Sequence, residues 1–200
     1  LEDEVVKQAT EIAVTMKGTP VKLTYSREED MTHGYYRPGA IAAFRGGVKD
    51  GKAVLLDGKI AGQSATASYM EMLVGMAPPG PDKIHVEGAF DQPYAIPNAR
   101  IRGYLAKFDL PVGPWRSVGA SINGFIFDSF IDEMAHAAGA DPLDFRLQMM
   151  REEDPRSAGV LEAVRDISGW TGKTPEGVGR GVGFCYSFGT PVAEVIEVHQ

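Results

Sequence analysis

IAAFRGGVKDGKAVLLDGKIA, from Ile41 to Ala61, decides the architecture. Ile41 to Val48 reads as a strand and Ala53 to Ala61 as its partner. Between them, Asp50 and Gly51 both tolerate a positive φ, which a two-residue hairpin turn requires. A hairpin of neighbouring strands is foreign to a doubly wound parallel sheet, where a helix separates successive strands. The expected class is α+β, with mixed sheets, hairpins and packed helices.

Upstream of the hairpin, residues 3–17 carry Val5, Val6, Ala9, Ile12, Ala13 and Met16 at helical spacing, with Gly18 and Pro20 as the stop. Val21, Leu23 and Tyr25 alternate with Lys22 and Thr24, the period of a strand, and Ser26 to Asp30 reads as a short helical turn. Downstream, Ala65 to Val74 reads as a helix and the proline-rich Met76 to Pro81 as a loop. Lys83 to Gly88 and Arg100 to Phe108 read as strands, the second with Arg100 and Arg102 on one face and Ile101 on the other. Ser121 to Ala138 is the clearest helix. Ile122, Ile126, Phe130, Met134 and Ala137 line one side, Phe127 and Ile131 lie beside them, and Gly139 ends it. Asp141 as N-cap and Pro142 at the first helical position open the next helix, which runs to about Arg151. A helix over about Ser157 to Gly169 and strands Val178 to Phe188 and Val192 to His199 complete the order.

This divides the chain into a strand-rich part (about 1–110), a helical part (about 111–177) and the start of a further strand pair (178–200). The sequence begins at Leu1 and stops at Gln200 inside a strand pattern, so the expectation is a single fragment of a larger subunit.

Composition excludes several classes. The 200 residues, 44% hydrophobic, suffice for one ordinary domain with a real core. A net charge of -7 argues against nonspecific nucleic-acid binding, which needs a basic surface. No apolar run approaches the ~20 residues of a membrane helix, and no signal-peptide pattern is visible. The one cysteine, Cys185, excludes a disulfide framework and an iron–sulfur cluster of the usual kind held by this chain. The sequence is silent on compartment.

Several motifs dissolve on inspection. GVGRGVG, Gly177 to Gly183, fails the spacing of a dinucleotide loop and opens a strand, so its glycines read as places of close backbone approach. GKT, Gly172 to Thr174, lacks the first glycine of a phosphate loop, since Ile167 stands there. His33, His85, His136 and His199 show no metal-ligand spacing, and no metal site is expected. Asp128, Asp132 and Glu133 read as a solvated helix face rather than an acid–base pair, and Cys185 has no basic neighbour to activate it. No catalytic residue is therefore assigned. HGYYRP, His33 to Pro38, either lines a pocket or packs a surface turn, and spacing does not choose between them.

PVGPWRSVGASINGF, Pro111 to Phe125, is different. It leads into the start of the strongest helix, where free N–H groups and the positive dipole end point back at the loop. Ser117, Gly119, Ala120 and Ser121 leave the backbone open to a ligand, Arg116 adds charge and Trp115 a flat apolar wall. Two readings stand side by side: an anion-binding or cofactor-facing loop, or a helix cap with Trp115 buried in the core.

Five segments in order carry a resemblance. PVKLTYSREEDM (Pro20 to Met31), HGYYRP, IPNARIRG (Ile96 to Gly103), WRSVG (Trp115 to Gly119) and SFIDEMAHAAGADPLDFR (Ser129 to Arg146) together resemble the molybdopterin-binding large subunit of the xanthine dehydrogenase/aldehyde oxidase family, and within it the branch of isoquinoline oxidoreductase beta subunits. The resemblance runs from about Val5 to Val198. It implies a molybdopterin-dependent oxidoreductase that hydroxylates an aldehyde or an electron-poor N-heterocycle with water as oxygen source. It also implies molybdenum held by molybdopterin in its cytosine dinucleotide form, with electrons passing to iron–sulfur clusters of a small partner subunit.

Residue by residue, it implies that Trp115, Arg116, Ser117, Val118 and Gly119 lie against the cofactor, largely through backbone, and that Ser187 and Phe188 lie near the substrate channel. No arginine stands between Arg45 and Arg100, where the xanthine dehydrogenases clamp a purine, so a purine substrate is not expected. The family's glycine-rich pterin loop would precede Leu1, and its later cofactor loops and catalytic glutamate would follow Gln200. The isolated chain is expected to be inactive, to carry no cofactor, and to expose apolar surface that favours self-association. The competing expectations are a free-standing α+β module holding an anionic ligand at the Ser121 helix start, and a scaffold piece that serves subunit contact.

Overall fold

A computed structural model describes residues 2–200, with side chains from Glu4 onward. Helices α1 (Glu2–Thr15) and α2 (Arg27–His33) precede the hairpin of β1 (Ala40–Lys49) and β2 (Lys52–Gly62). Asp50 at φ 51° and Gly51 at φ 72° make the turn that the sequence requires. Helix α3 (Ala65–Val74) and a 3₁₀ turn (Ile84–Val86) then lead to β3 (Asn98–Leu105). Strand β3 returns parallel to β2, so the three-stranded sheet β1-β2-β3 is mixed. Helices α4 (Ala120–Ala137), α5 (Pro142–Met150) and α6 (Pro155–Ser168) follow, and a second hairpin, β4 (Val178–Ser187) and β5 (Thr190–His199), ends the described chain. The class is α+β, as the hairpin predicts.

The core lies where α4 crosses the three-stranded sheet and meets α5 and β4, with α6 packed behind against α5 and β5. Leu56 and Ile60 of β2, Phe127, Ile131 and Met134 of α4, Leu143, Phe145 and Leu147 of α5, Leu161 of α6 and Phe184 of β4 form one buried cluster. Along β2 these residues alternate with exposed Leu55, Lys59 and Ala61, the period of a sheet with one wet face. On that outer face Asp57 accepts from both Arg100 and Arg102, the pair that the sequence places on one side of β3. Asp141 caps α5 by accepting from the N–H groups of Leu143 and Asp144. Asp154 with Pro155 repeats the device one helix later.

Four expectations need correction. Val21 to Tyr25 alternates in burial as a strand would, but pairs with no partner and stays irregular. Lys83 to Gly88 is not a strand: Asp82 accepts from the Ile84 N–H and Gly88 sits at φ 86°, which together fold the segment into the 3₁₀ turn. The buried stripe of α4 is Ala120, Asn123, Phe127, Asp128, Ile131, Met134 and Ala135, rotated from the expected row, so Ala137 is exposed and Ile122 only half-buried. Asp128 therefore leaves the solvated face, because α5 and β4 cover the side of α4 that the sequence leaves open. The glycines of β4 do not meet a neighbouring backbone closely either. A Cβ on Gly181 would find open space among the described residues, and one on Gly179 or Gly183 would meet its first neighbour only at 4.0 Å.

No described helix is long and apolar enough to cross a membrane.

Candidate functional site

Trp115 to Gly119 form a tight turn directly before α4. The Val118 N–H donates to the Trp115 carbonyl at 2.8 Å, and the Ile122 and Asn123 N–H groups both reach the Gly119 carbonyl. Ser117 at φ 70° and Val118 at φ 42° are consecutive non-glycine residues in the left-handed region. For a β-branched valine this is an outlier, and each such residue costs about 1–3 kcal/mol. The surrounding structure holds the strain. A Cβ on Gly119 would fall 2.1 Å from the Ile84 carbonyl oxygen, and one on Gly88 2.5 Å from Ala120 Cα, so the helix start and the 3₁₀ segment touch backbone to backbone. The Asn123 amide nitrogen then donates to the carbonyls of both His85 and Glu87 at 2.9 Å.

The other side of the turn meets HGYYRP, for which the sequence allows either a pocket lining or a surface turn. Tyr36 bridges to Val112, donating to the Pro111 carbonyl and accepting from the Gly113 N–H. The Trp115 indole N–H donates to the Tyr35 carbonyl at 2.7 Å. Arg37 lies over the indole ring, 5.8 Å from its centroid, and donates to the Arg116 carbonyl at 3.1 Å. Trp115 is 49% exposed, so it is no core tryptophan. It stands as a partition. On one side is a small, partly open cavity of about 30 Å³, also walled by Arg37, Gly39, Val118, Ile122 and Asn123. On the other is an open groove of about 820 Å³ lined by Leu23, Tyr25, Tyr35 and Tyr36.

The five residues of WRSVG thus form one continuous wall. Ser187 and Phe188 do not join it. They lie at the β4–β5 turn, where Phe188 at φ 50° and Gly189 at φ 75° reverse the chain and Phe188 is largely exposed. Arg156 of α6 holds that turn through the Gly189 carbonyl. Gln92 pairs with both backbone groups of Tyr186 as a strand would.

Charges of both signs stand near the start of α4. Asp82 and Arg37 border the same cavity, and the Glu87 carboxyl is raised by burial and by the charges of Asp91 and Asp82. Among the described residues no group of three His, Cys, Asp or Glu is placed to hold a metal ion. Burial, and behind it the charges of Asp128, Asp91 and Glu87, push the Cys185 thiol up, away from nucleophilic reactivity.

Sequence reasoning missed Asn123. Its signal is a polar residue set within the apolar run from Ile122 to Phe127; it is 1% exposed.

The comparisons agree with this fold. The model of the molybdopterin cofactor-binding domain matches residues 5–150, and the chain belongs to that family. It is 27% identical over 187 residues to the beta subunit of isoquinoline 1-oxidoreductase from Brevundimonas diminuta, covering 91% of this chain and 24% of that protein. It is 29% identical over 131 residues to the nicotinate dehydrogenase large molybdopterin subunit of Eubacterium barkeri, covering 64% of this chain and 29% of the relative. In fold it matches quinoline 2-oxidoreductase from Pseudomonas putida 86 with a TM-score of 0.64 at 13% identity, over 89% of this chain and 25% of that one. The aldehyde oxidoreductase of Desulfovibrio desulfuricans matches with a TM-score of 0.59 at 19% identity, over 87% and 20%. The chain spans about a quarter of the length of these proteins.

Proposed function

We propose that this chain is one part of the large subunit of a molybdenum hydroxylase and that WRSVG is a wall of its cofactor site. The observation that carries the reading is the pair Ser117 and Val118, held consecutively in left-handed backbone between two segments that brace them. Strain of this kind persists where the surroundings over-determine it and gathers at functional sites.

The residues present fit such a role as one wall. They offer an exposed indole, a guanidinium at Arg116 with no ion pair among the described residues and a small side chain at Ser117. The cavity of about 30 Å³ is too small for the body of the cofactor, which would lie outside it. When bound, the molybdenum centre supplies the two-electron oxidation. Trp115 would shield it, the small side chain of Ser117 would let it approach the backbone, and Arg37 would keep the indole in place. Ser187 and Phe188 would border the substrate channel from a separate turn.

The whole polypeptide would oxidise an N-heteroaromatic compound or an aldehyde with water as oxygen source. The relatives named for isoquinoline and nicotinate favour the heterocycle. Those relatives are themselves named as single subunits, which favours a multi-subunit enzyme whose electrons pass to an iron–sulfur small subunit. The cytosine dinucleotide form of the cofactor belongs to the same reading. So do the further loops and the catalytic glutamate supplied outside this chain, and a chain that is inactive in isolation.

Metal and pterin analysis of the full-length protein, with Trp115→Ala beside it, tests the proposal. Stoichiometric molybdenum and pterin in the wild type, with both reduced several-fold in the variant, is the expected result. A wild type without either would sink it, and an unchanged variant would remove WRSVG from the site.

A further inference from the structure

We infer that the outer face of the sheet β1-β2-β3 is a docking surface for an acidic, partly apolar face of the separate small subunit that completes the enzyme. The inference rests on the multi-subunit reading above and goes beyond it by naming the surface. Its observations are independent of the WRSVG turn.

The three strands carry Arg45, Lys49, Lys52, Lys59, Arg100 and Arg102 against one acid of their own, Asp57, with Asp50 in the turn at the far end. The chain as a whole has a net charge of -7, so this sheet runs against its balance. Strand alternation puts all six cations on one side, because their neighbours Phe44, Val48, Ala53, Ile60 and Ile101 point inward and pack on the core. The register then sets the charges in adjoining rows. Arg45, Asp57 and Arg100 form one row, and Ala43, Lys59 and Arg102 the next. Asp57 is already occupied by Arg100 and Arg102. Arg45, Lys49, Lys52 and Lys59 are exposed and have no ion pair among the described residues.

The face is not all charge. The row beyond Lys59 and Arg102 is Ile41, Ala61 and Tyr104, with Ile41 80% and Tyr104 47% exposed. Leu55, exposed as well, flanks the cations on the other side. Arginine beside exposed aliphatic and aromatic side chains is the composition of a protein–protein contact. A nucleic acid is a poor occupant, because the rest of the chain is acidic and would repel it. A two-fold pairing of this face with its own copy would set like charges against each other. Carboxylates of a partner would pair the four free cations. Opposite charge does most for molecules that meet in solution, since it speeds their encounter and fixes their register. A further segment of the same polypeptide needs no such steering, so the observations favour a separately folded subunit.

The test uses the full-length protein with its partner subunit. A carbodiimide joins a lysine amine directly to a carboxylate in contact with it, and peptide mass spectrometry locates the bond. Lys49, Lys52 and Lys59 should cross-link to carboxylates of the small subunit. Links only to carboxylates of the large subunit, in the same or a second copy, or no links at all, would overturn the inference. Arg45→Glu with Lys59→Glu gives a second readout. Arg100 and Arg102 are kept, because they hold Asp57 and tie β3 to β2. The double variant should weaken subunit association about tenfold at about 0.05 M salt, and the gap from wild type should narrow at about 0.5 M. Association within about twofold of wild type at both salts would contradict the inference. The cross-links are read on the wild type, so a variant that fails to fold still leaves a decision. A full-length protein that purifies without a second subunit overturns the inference and the multi-subunit reading together. A two-subunit enzyme without these cross-links overturns the inference alone, so the two failures are distinct.

Discussion

Arg146, with no side-chain exposure, grips Asp128 in a two-point ion pair across the α4–α5 contact. Its Nε reaches Oδ1 at 3.1 Å and its Nη2 reaches Oδ2 at 2.8 Å. The same carboxylate accepts from the Tyr94 hydroxyl at 2.8 Å and the Phe184 N–H at 2.9 Å. One side chain therefore ties α4 to α5, to the loop before β3 and to the open edge of β4. Burial works against the Arg146 charge, yet the carboxylates of Asp128 and Asp132 beside it hold the guanidinium protonated. Burial also raises the Tyr94 hydroxyl far above its ordinary range, so it stays neutral and donates.

Arg146→Met leaves Asp128 charged and buried, and should cost about 3–5 kcal/mol. Urea unfolding of the isolated chain measures it. Adding Asp128→Asn should recover part of the loss, because asparagine can accept from the Phe184 N–H while its NH₂ donates to the Tyr94 hydroxyl oxygen, without a buried charge. A double variant as unstable as Arg146→Met alone would contradict this.

Asp57 gives a pH prediction. Hydrogen bonds from Arg100, supported by Arg102, lower its carboxyl to about 2 against burial acting the other way. A depressed carboxyl stabilises the fold above its unfolded value near about 4 and loses that contribution as pH falls toward about 2. Carboxyl chemical shifts should show Asp57 titrating well below the other aspartates. Asp57→Asn should flatten the acid limb of the stability curve between about pH 4 and 2.

The strained turn predicts a split between two substitutions at one position. Ser117→Gly relieves a left-handed serine and should leave the isolated chain as stable as wild type or up to about 1 kcal/mol more stable. Ser117→Val places a β-branched residue at φ 70° and should cost more than about 1 kcal/mol. Thermal unfolding of both decides, and equal stabilities would show that the turn carries no such strain.

Two glycines should behave oppositely. Gly119→Ala forces a methyl to 2.1 Å from the Ile84 carbonyl oxygen and should destabilise by about 1–3 kcal/mol or more. Gly181→Ala meets open space and should fall within about 0.5 kcal/mol of wild type in this chain. Denaturant midpoints compare them directly.

Legibility in the sequence follows the range of the interaction. The Asp141–Pro142 helix start and the Asp50–Gly51 turn depend on atoms within four residues of each other, and both are readable. Asp154–Pro155 carries the same signal and starts α6 just ahead of Ser157, where the apolar pattern alone would begin it. The segment from Lys83 to Gly88 misleads because its apolar alternation suits a strand, whereas the Asp82 cap and the positive φ of Gly88 decide against one. Asp128 misleads because the groups that bury it lie 18, 34 and 56 residues away in sequence.

The sequence by itself determined the α+β class, the main helices and hairpins, and the order of motifs that marks the cofactor-binding family. Those properties rest on local backbone chemistry and on hydrophobic period. Only the tertiary structure decided where WRSVG sits. It set Trp115 between cavity and groove rather than in the core, joined the turn to HGYYRP, and left Asn123 Oδ1 buried without a partner. Those are consequences of backbone segments meeting from 36 to 80 residues apart, where burial and hydrogen-bond satisfaction depend on every neighbour at once.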